Sequence, residues 1–177
     1  EDAQIGTVHS VGLHYIRKYW YILGRSATFN EMDDKAKEAY ISRTLSNVAK
    51  DDDVALFSTY VRAREIKVMG KYNYDFWKKD LTEIIESCEM FGITDLDSCL
   101  AKSLDHIDAM FPDGGDGVKD MKNVTSRLFD IAKRWRKEFH DFKAMNNILS
   151  FSDMETLFLK LLDHPIVQED IRNSIKY

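Results

Sequence analysis

The sequence predicts a mainly α protein, a bundle of about seven helices with short strand remnants at both termini. Three observations carry that expectation. Only two prolines, Pro112 and Pro165, occur in 177 residues. Long stretches space their apolar residues by three and four, the period of a helix buried along one face. Aspartates and glycines stand where such stretches begin and end.

Taken in order, Val11 to Leu23 presents Leu13, Ile16, Trp20 and Leu23 inward, with Gly24 as the stop signal. Asp33 or Asp34 caps a second helix reaching about Ala49, and a third runs from about Val54 to Val68. Asn73 to Phe91 carries Trp77, Leu81, Ile84, Cys88 and Phe91 on one face, closed by Gly92. Asp95 or Asp97 opens the next, with Leu100, Leu104, Ile107 and Phe111 inward.

Pro112 to Gly117 is a turn rich in residues that tolerate positive φ. The longest helix comes next, from about Lys119 to Met145, striped by Val124, Leu128, Ala132, Trp135, Phe139 and Phe142. Ser152-Asp153-Met154-Glu155 reads as a capping box opening a helix to about Leu162, and a short helix begins after Pro165. Only Gln4 to Val8 and the last residues read as strand, too short to make a sheet alone.

Composition narrows the class. At 44% hydrophobic and 31% charged residues, the chain has the make-up of a globular domain large enough for a real core. No apolar run approaches the roughly 20 residues of a bilayer span, so no membrane role is expected. The N-terminus lacks a basic segment leading into an apolar core, so secretion is not expected. Cys88 and Cys99 have neither metal-ligand spacing nor Cys/His companions, and read as thiols in a reducing compartment.

The net charge of -5 does not advertise a nucleic-acid binder, but its distribution is uneven. Basic residues gather at Arg17, Lys18 and Arg25, at Arg62, Arg64, Lys67 and Lys71, and at Arg127, Lys133, Arg134, Arg136 and Lys137. Acidic residues gather at Asp51-Asp52-Asp53 and between Asp95 and Asp97. The plain reading of each run is a solvated helix face.

Two motifs add chemistry. Gly6-Thr7-Val8-His9-Ser10 places a short strand before a helix whose first amides have no intrahelical partner. Those amides and the Thr7 and Ser10 hydroxyls suit a backbone phosphate, and His9 suits a hydrogen bond or a stacked base. Taken alone the motif is weak, and its plainer reading is Ser10 as an N-cap and His9 as a satisfied buried imidazole. The second motif is Ile148-Leu149-Ser150-Phe151-Ser152-Asp153-Met154-Glu155, succeeded by Leu157, Leu161, Leu162, Pro165 and Ile175-Lys176-Tyr177.

Together these resemble the stretch from motif Ic (GTxHS) to the Walker B strand of UvrD/RecB-type superfamily 1 DNA helicases. Leu13, Ile16-Arg17, Tyr19-Trp20-Tyr21, Phe29 and Asp33-Asp34 match the family pattern downstream of the first motif, and Lys143 to Tyr177 matches the return segment. The detail is most similar to the AddA and RecB helicase-nuclease subunits. Ser150 stands where the family usually has Asp, and Val11 where it often has Phe.

The resemblance implies a division into residues 1–24, a remnant of the RecA-like motor domain 1A; 25–149, the helical 1B accessory subdomain; and 150–177, the return into 1A. It implies that 1B flanks the DNA path of an ATP-dependent helicase or helicase-nuclease of the bacterial cytoplasm, acting in DNA repair or recombination. Its partners would be single-stranded and duplex DNA, the remainder of the motor and, where the parent is a helicase-nuclease, a nuclease subunit. Expected DNA contacts are Thr7, His9, Ser10, Arg17, Arg62, Arg64, Lys67, Arg134 and Lys137.

ATP and Mg belong to the parent protein on this reading. The chain has no G-x-x-x-x-G-K-[ST] phosphate loop, and it stops before the expected Walker B acid, so no catalytic residue, metal ligand or cofactor is expected here. Two other readings stand beside it. His140-Asp141, with Asp105, His106, Asp108, Asp163 and His164, could supply a metal-dependent phosphohydrolase, although Phe139 and Phe142 as the inward stripe turn that pair outward. A protein-binding bundle is the other, with Tyr72 and Tyr74 suited to a partner surface.

Overall fold

The computed structural model describes residues 8–24, 26 and 28–174. Eight helices lie among them: α1 (Val8–Lys18), α2 (Asp34–Val48), α3 (Asp51–Ala63), α4 (Phe76–Met90), α5 (Leu96–Met110), α6 (Asp116–Met145), α7 (Phe151–Leu162) and α8 (Pro165–Ser174). Four short strands join them: β1 (Asn30–Met32), β2 (Lys67–Val68), β3 (Lys71–Tyr72) and β4 (Ile148–Ser150). The mainly α class is as the periodicity predicts. None of these four strands is expected from the sequence, and the expected C-terminal strand falls on residues 175–177, outside the described residues.

The chain divides into two compact units, residues 1–38 with 141–177, and residues 39–140. The first is assembled from both ends of the chain. Its β1 and β4 pair in parallel, Asn30 opposite Ile148 and Met32 opposite Ser150. Its core gathers Tyr15, Ile16 and Tyr19 with Leu149, Met154, Leu157, Leu161 and Val167. A Cβ at Gly12 would sit 3.3 Å from the Phe158 ring, so the glycine lets α1 and α7 close together.

Several expectations shift in this unit. The expected strand Gln4 to Val8 lies outside the described residues up to Thr7, and Val8 is already helical. The first helix ends at Lys18, not Leu23, and residues 19–24 turn back with Gly24 at φ 61°. Trp20 therefore leaves the helical stripe and is exposed, while Tyr15 and Tyr19 take the buried places.

The capping box lies two residues earlier than expected. Ser150 ends β4 in an extended conformation, so it, not Ser152, is the N-cap of α7. The Asp153 carboxylate accepts from the Ser150 amide at 2.9 Å and from its hydroxyl at 2.8 Å. Lys143 completes the cluster, 2.7 Å from the same oxygen. Burial pushes the Asp153 carboxyl up, but Lys143 and the two Ser150 donors outweigh it and hold the group below the usual carboxylate value. Ser150 thus does for the backbone what an aspartate does at a helix start.

The second unit conforms to the helical periodicity more closely. Asp95 caps α5 by accepting from the Ser98 amide at 3.0 Å, and Gly92 at φ 61° ends α4 while the Ile93 amide reaches back to the Cys88 carbonyl. The α6 stripe is buried through Val124, Leu128, Ala132, Trp135 and Phe139. The Trp135 indole donates to Thr44 at 2.8 Å, and its ring stacks on Phe139 with centroids 4.8 Å apart. Ile85 takes the buried place expected of Ile84, and Phe91 and Phe111 are exposed because both stand at the C-cap, past the last inward turn. The third helix stops at Ala63 instead of Val68; Glu65 adopts φ 50° and the chain turns into the β2–β3 hairpin.

Candidate nucleic-acid interface

The expected contacts divide between the units. In the first, Thr7 lies outside the described residues, and His9 and Ser10 occupy the opening turn of α1. The His9 ring sits 4.9 Å from Phe151, and its Nε2 is 3.4 Å from a Glu155 carboxylate oxygen. Ser10 is exposed. Arg17 is held by Glu31 at 2.8 Å and lies over the Phe29 ring at 5.3 Å, so it ties α1 to the β1 segment.

In the second unit the basic runs have distinct duties. Asp53, read from sequence as part of a solvated acidic run, is fully buried. Arg134 donates to its carboxylate at 2.6 Å and to the Val48 carbonyl at 2.9 Å; Arg127 approaches the other oxygen at 3.4 Å. Arg134 therefore joins the end of α2, the start of α3 and α6. Burial pushes the Asp53 carboxyl up, but Arg134, the Lys50 amide and Arg127 together hold it below its usual value. The sequence does carry a signal of this burial: Asp53 is in phase with the buried Phe57 and Val61, four and eight positions on.

Lys133 pairs with Asp97, and Arg136 donates to the Thr94 carbonyl at 3.1 Å. Lys137 is exposed and lines an open cleft with Lys133, Arg136 and the start of α5. The earlier run clusters around the hairpin. Arg64 pairs with Asp120 at 3.0 Å, Arg62 donates to the Tyr74 hydroxyl at 3.2 Å, and Lys67 lies 4.9 Å from the Tyr72 ring centroid.

The turn at residues 114–117 does not have the form of a phosphate loop. Gly114 and Gly115 link α5 to α6, with no strand leading into them, and Asp113 and Asp116 flank them with the wrong charge. The space beside Gly117 is filled by the Arg64 guanidinium, 2.6 Å from where a Cβ would stand. Among the described residues no group of three or more His, Cys, Asp or Glu could hold a metal ion, and His140 and Asp141 are both exposed. No helix among them is long and apolar enough to cross a membrane.

The model of the UvrD/REP helicase N-terminal domain matches residues 1–177. The chain belongs to this helicase family. Comparison with curated proteins and with solved structures gives no significant match to either. Membership makes the chain part of a UvrD-type superfamily 1 helicase, an ATP-dependent family, and it implies DNA binding and further helicase domains.

Proposed function

We propose that the helical unit of residues 39–140, inside the span 25–149 expected from the sequence, is the DNA-contacting 1B accessory subdomain of a cytoplasmic helicase most similar to the AddA and RecB helicase-nucleases, working in DNA repair or recombination. Residues 1–38 and 141–177 are then parts of motor domain 1A. One observation carries the reading: a helical unit is interposed in the sequence between two segments that together make the other unit. The parallel β1–β4 pair suits an α/β motor domain, since parallel strands are joined by long crossovers. ATP and Mg bind elsewhere in the motor, and the DNA path takes His9, Ser10 and the exposed cations of the helical unit.

The test is a fluorescence-anisotropy titration of a tailed duplex at low and moderate salt. Binding is expected no tighter than the roughly 10⁻⁴ to 10⁻⁶ M of non-specific contacts, falling steeply with salt. Lys137→Glu is the charge variant of choice, because Arg134 is committed to Asp53. Salt-insensitive binding, or none, overturns the reading in favour of a protein-binding bundle. ATP turnover that tracks the purified chain overturns the placement of the nucleotide. In the intact helicase, His9→Ala is expected to weaken single-strand binding; unchanged affinity leaves His9 as packing for Phe151.

A further inference from the structure

The β2–β3 hairpin and the end of α3 carry a row of four side chains that the core does not use. Lys67 and Tyr72 are cross-strand partners, so they share a face of the hairpin. Tyr74 stands two residues later on the same face, the ladder being continued by the Asn73 amide donating to the Ile66 carbonyl at 2.9 Å. The two rings lie 6.0 Å apart. Lys67 sits against the Tyr72 ring, and the Arg62 guanidinium carbon lies 5.7 Å from the Tyr74 ring centroid. The order is cation, ring, ring, cation, and each tyrosine is 40% exposed.

We propose that this row is a stacking site for unpaired DNA bases, with Tyr72 and Tyr74 as platforms and Lys67 and Arg62 as phosphate partners. The proposal rests on the DNA-contacting reading above and narrows it to one form of DNA and four side chains. Charge selects a polyanion: Arg64 is paired with Asp120 and Asp75 with Lys78, which leaves Arg62, Lys67 and Lys71 against one acid, Glu65, along residues 62–75 of a chain of net charge -5. Glu65 lies 3.6 Å from Lys67 but is well exposed, a weak competitor for a phosphate.

The rings select a single strand. An exposed ring stacks only on a base whose face is open, and in a duplex those faces are covered by neighbouring pairs. The adjoining tip is apolar as well. Met69 is fully exposed and held at φ 50°, beside Gly70 at φ 79°, in a two-residue turn that favours Asn or Gly. A methionine there loses turn stability and buries nothing within the chain, which fits a contact made with a ligand.

The experiment titrates the chain with labelled oligothymidylate and with a blunt duplex of equal length across several salt concentrations, with thermal melts as fold controls. Tyr72→Leu/Tyr74→Leu is expected to weaken single-strand binding about tenfold or more, while Tyr72→Phe/Tyr74→Phe keeps it. The leucine pair leaves the dependence on salt unchanged. Arg62→Gln/Lys67→Gln instead flattens the slope of log K against log salt by about 1.4, roughly 0.7 for each lost phosphate contact.

Equal binding by the leucine pair and the parent overturns the site, as does a loss shared equally by the leucine and phenylalanine pairs or by duplex and single strand. Should the leucine pair fail to fold, the glutamine pair decides, and an unchanged salt slope sinks the proposal. A chain that binds neither DNA form defeats the DNA-contacting reading as well. Binding that survives every hairpin variant defeats the hairpin site alone.

Discussion

The unit of residues 39–140 buries its apolar surface with helices that succeed one another in sequence, whereas the unit of residues 1–38 and 141–177 joins segments from opposite ends of the chain. Each also contains a buried or half-buried aspartate neutralised by basic residues, but to different purpose. Asp53 has no access to solvent and is bound by two arginines of α6. Asp153 is partly exposed and serves a helix cap with Lys143. The contrast teaches that a basic run on a helix is read correctly only when its buried counter-charges are known.

The largest test of that contrast is to remove the buried acid's partner. Arg134→Ala leaves the buried Asp53 carboxylate with only the Lys50 amide and Arg127, 3.4 Å away, and is expected to cost up to about 3–5 kcal/mol, read as a lowered denaturant midpoint. A cost like that of a surface arginine would show that Asp53 is hydrated after all. In the other unit, Leu161→Ala removes a fully buried side chain of the core shared by α1 and α7 and should cost about 2–5 kcal/mol. Hydrogen exchange then sharpens the comparison: each variant should accelerate exchange first in its own unit.

Acid links the two. Both carboxyls are held below their usual value of about 4, so each contributes stability that is complete above that value and lost as pH falls through the lower folded-state value. Denaturant midpoints are expected to hold steady through neutral pH and to drop below about pH 4. Arg134→Ala should reduce the part of the drop due to Asp53. Smaller still is Ser150→Ala, about 1 kcal/mol from loss of the α7 cap. Last, Met69→Asn should raise stability by up to about 1 kcal/mol, since asparagine tolerates the positive φ of the turn.

Helix identity is legible in the sequence because periodicity and caps agree at Asp33, Gly92 and Asp95: the Asp33 side chain does accept from the Ala36 amide at 2.7 Å. The features that escape a sequence reading are set by tertiary context. Ile66-Lys67-Val68 continues the spacing of α3, and a Met-Gly turn lacks the usual hairpin signal, so the pattern reads as helix through the hairpin. β1 and β4 are three residues each and find one another only across the chain. Ser152 with Glu155 fits the capping template as well as Ser150 with Asp153, and only the end of β4 decides between them. At the candidate interface the cluster of charge is legible, but the engagement of Arg134 by Asp53 and the pairing of Tyr72 with Tyr74 need coordinates.

The pairing of β1 with β4 also sets how the chain must fold. Contacts at that seam, such as Asn147 to the Thr28 carbonyl, join residues 119 positions apart, and closing so long a loop is an entropic cost met before the contact returns anything. Yet that cost grows only logarithmically, about 0.6 kcal/mol for each doubling of length. A helical region interposed at such a seam can therefore be lengthened, shortened or exchanged with little effect on the closure itself. Local contacts are expected to form first, so the interposed helices should gain protection in pulsed hydrogen exchange before β1 and β4 do.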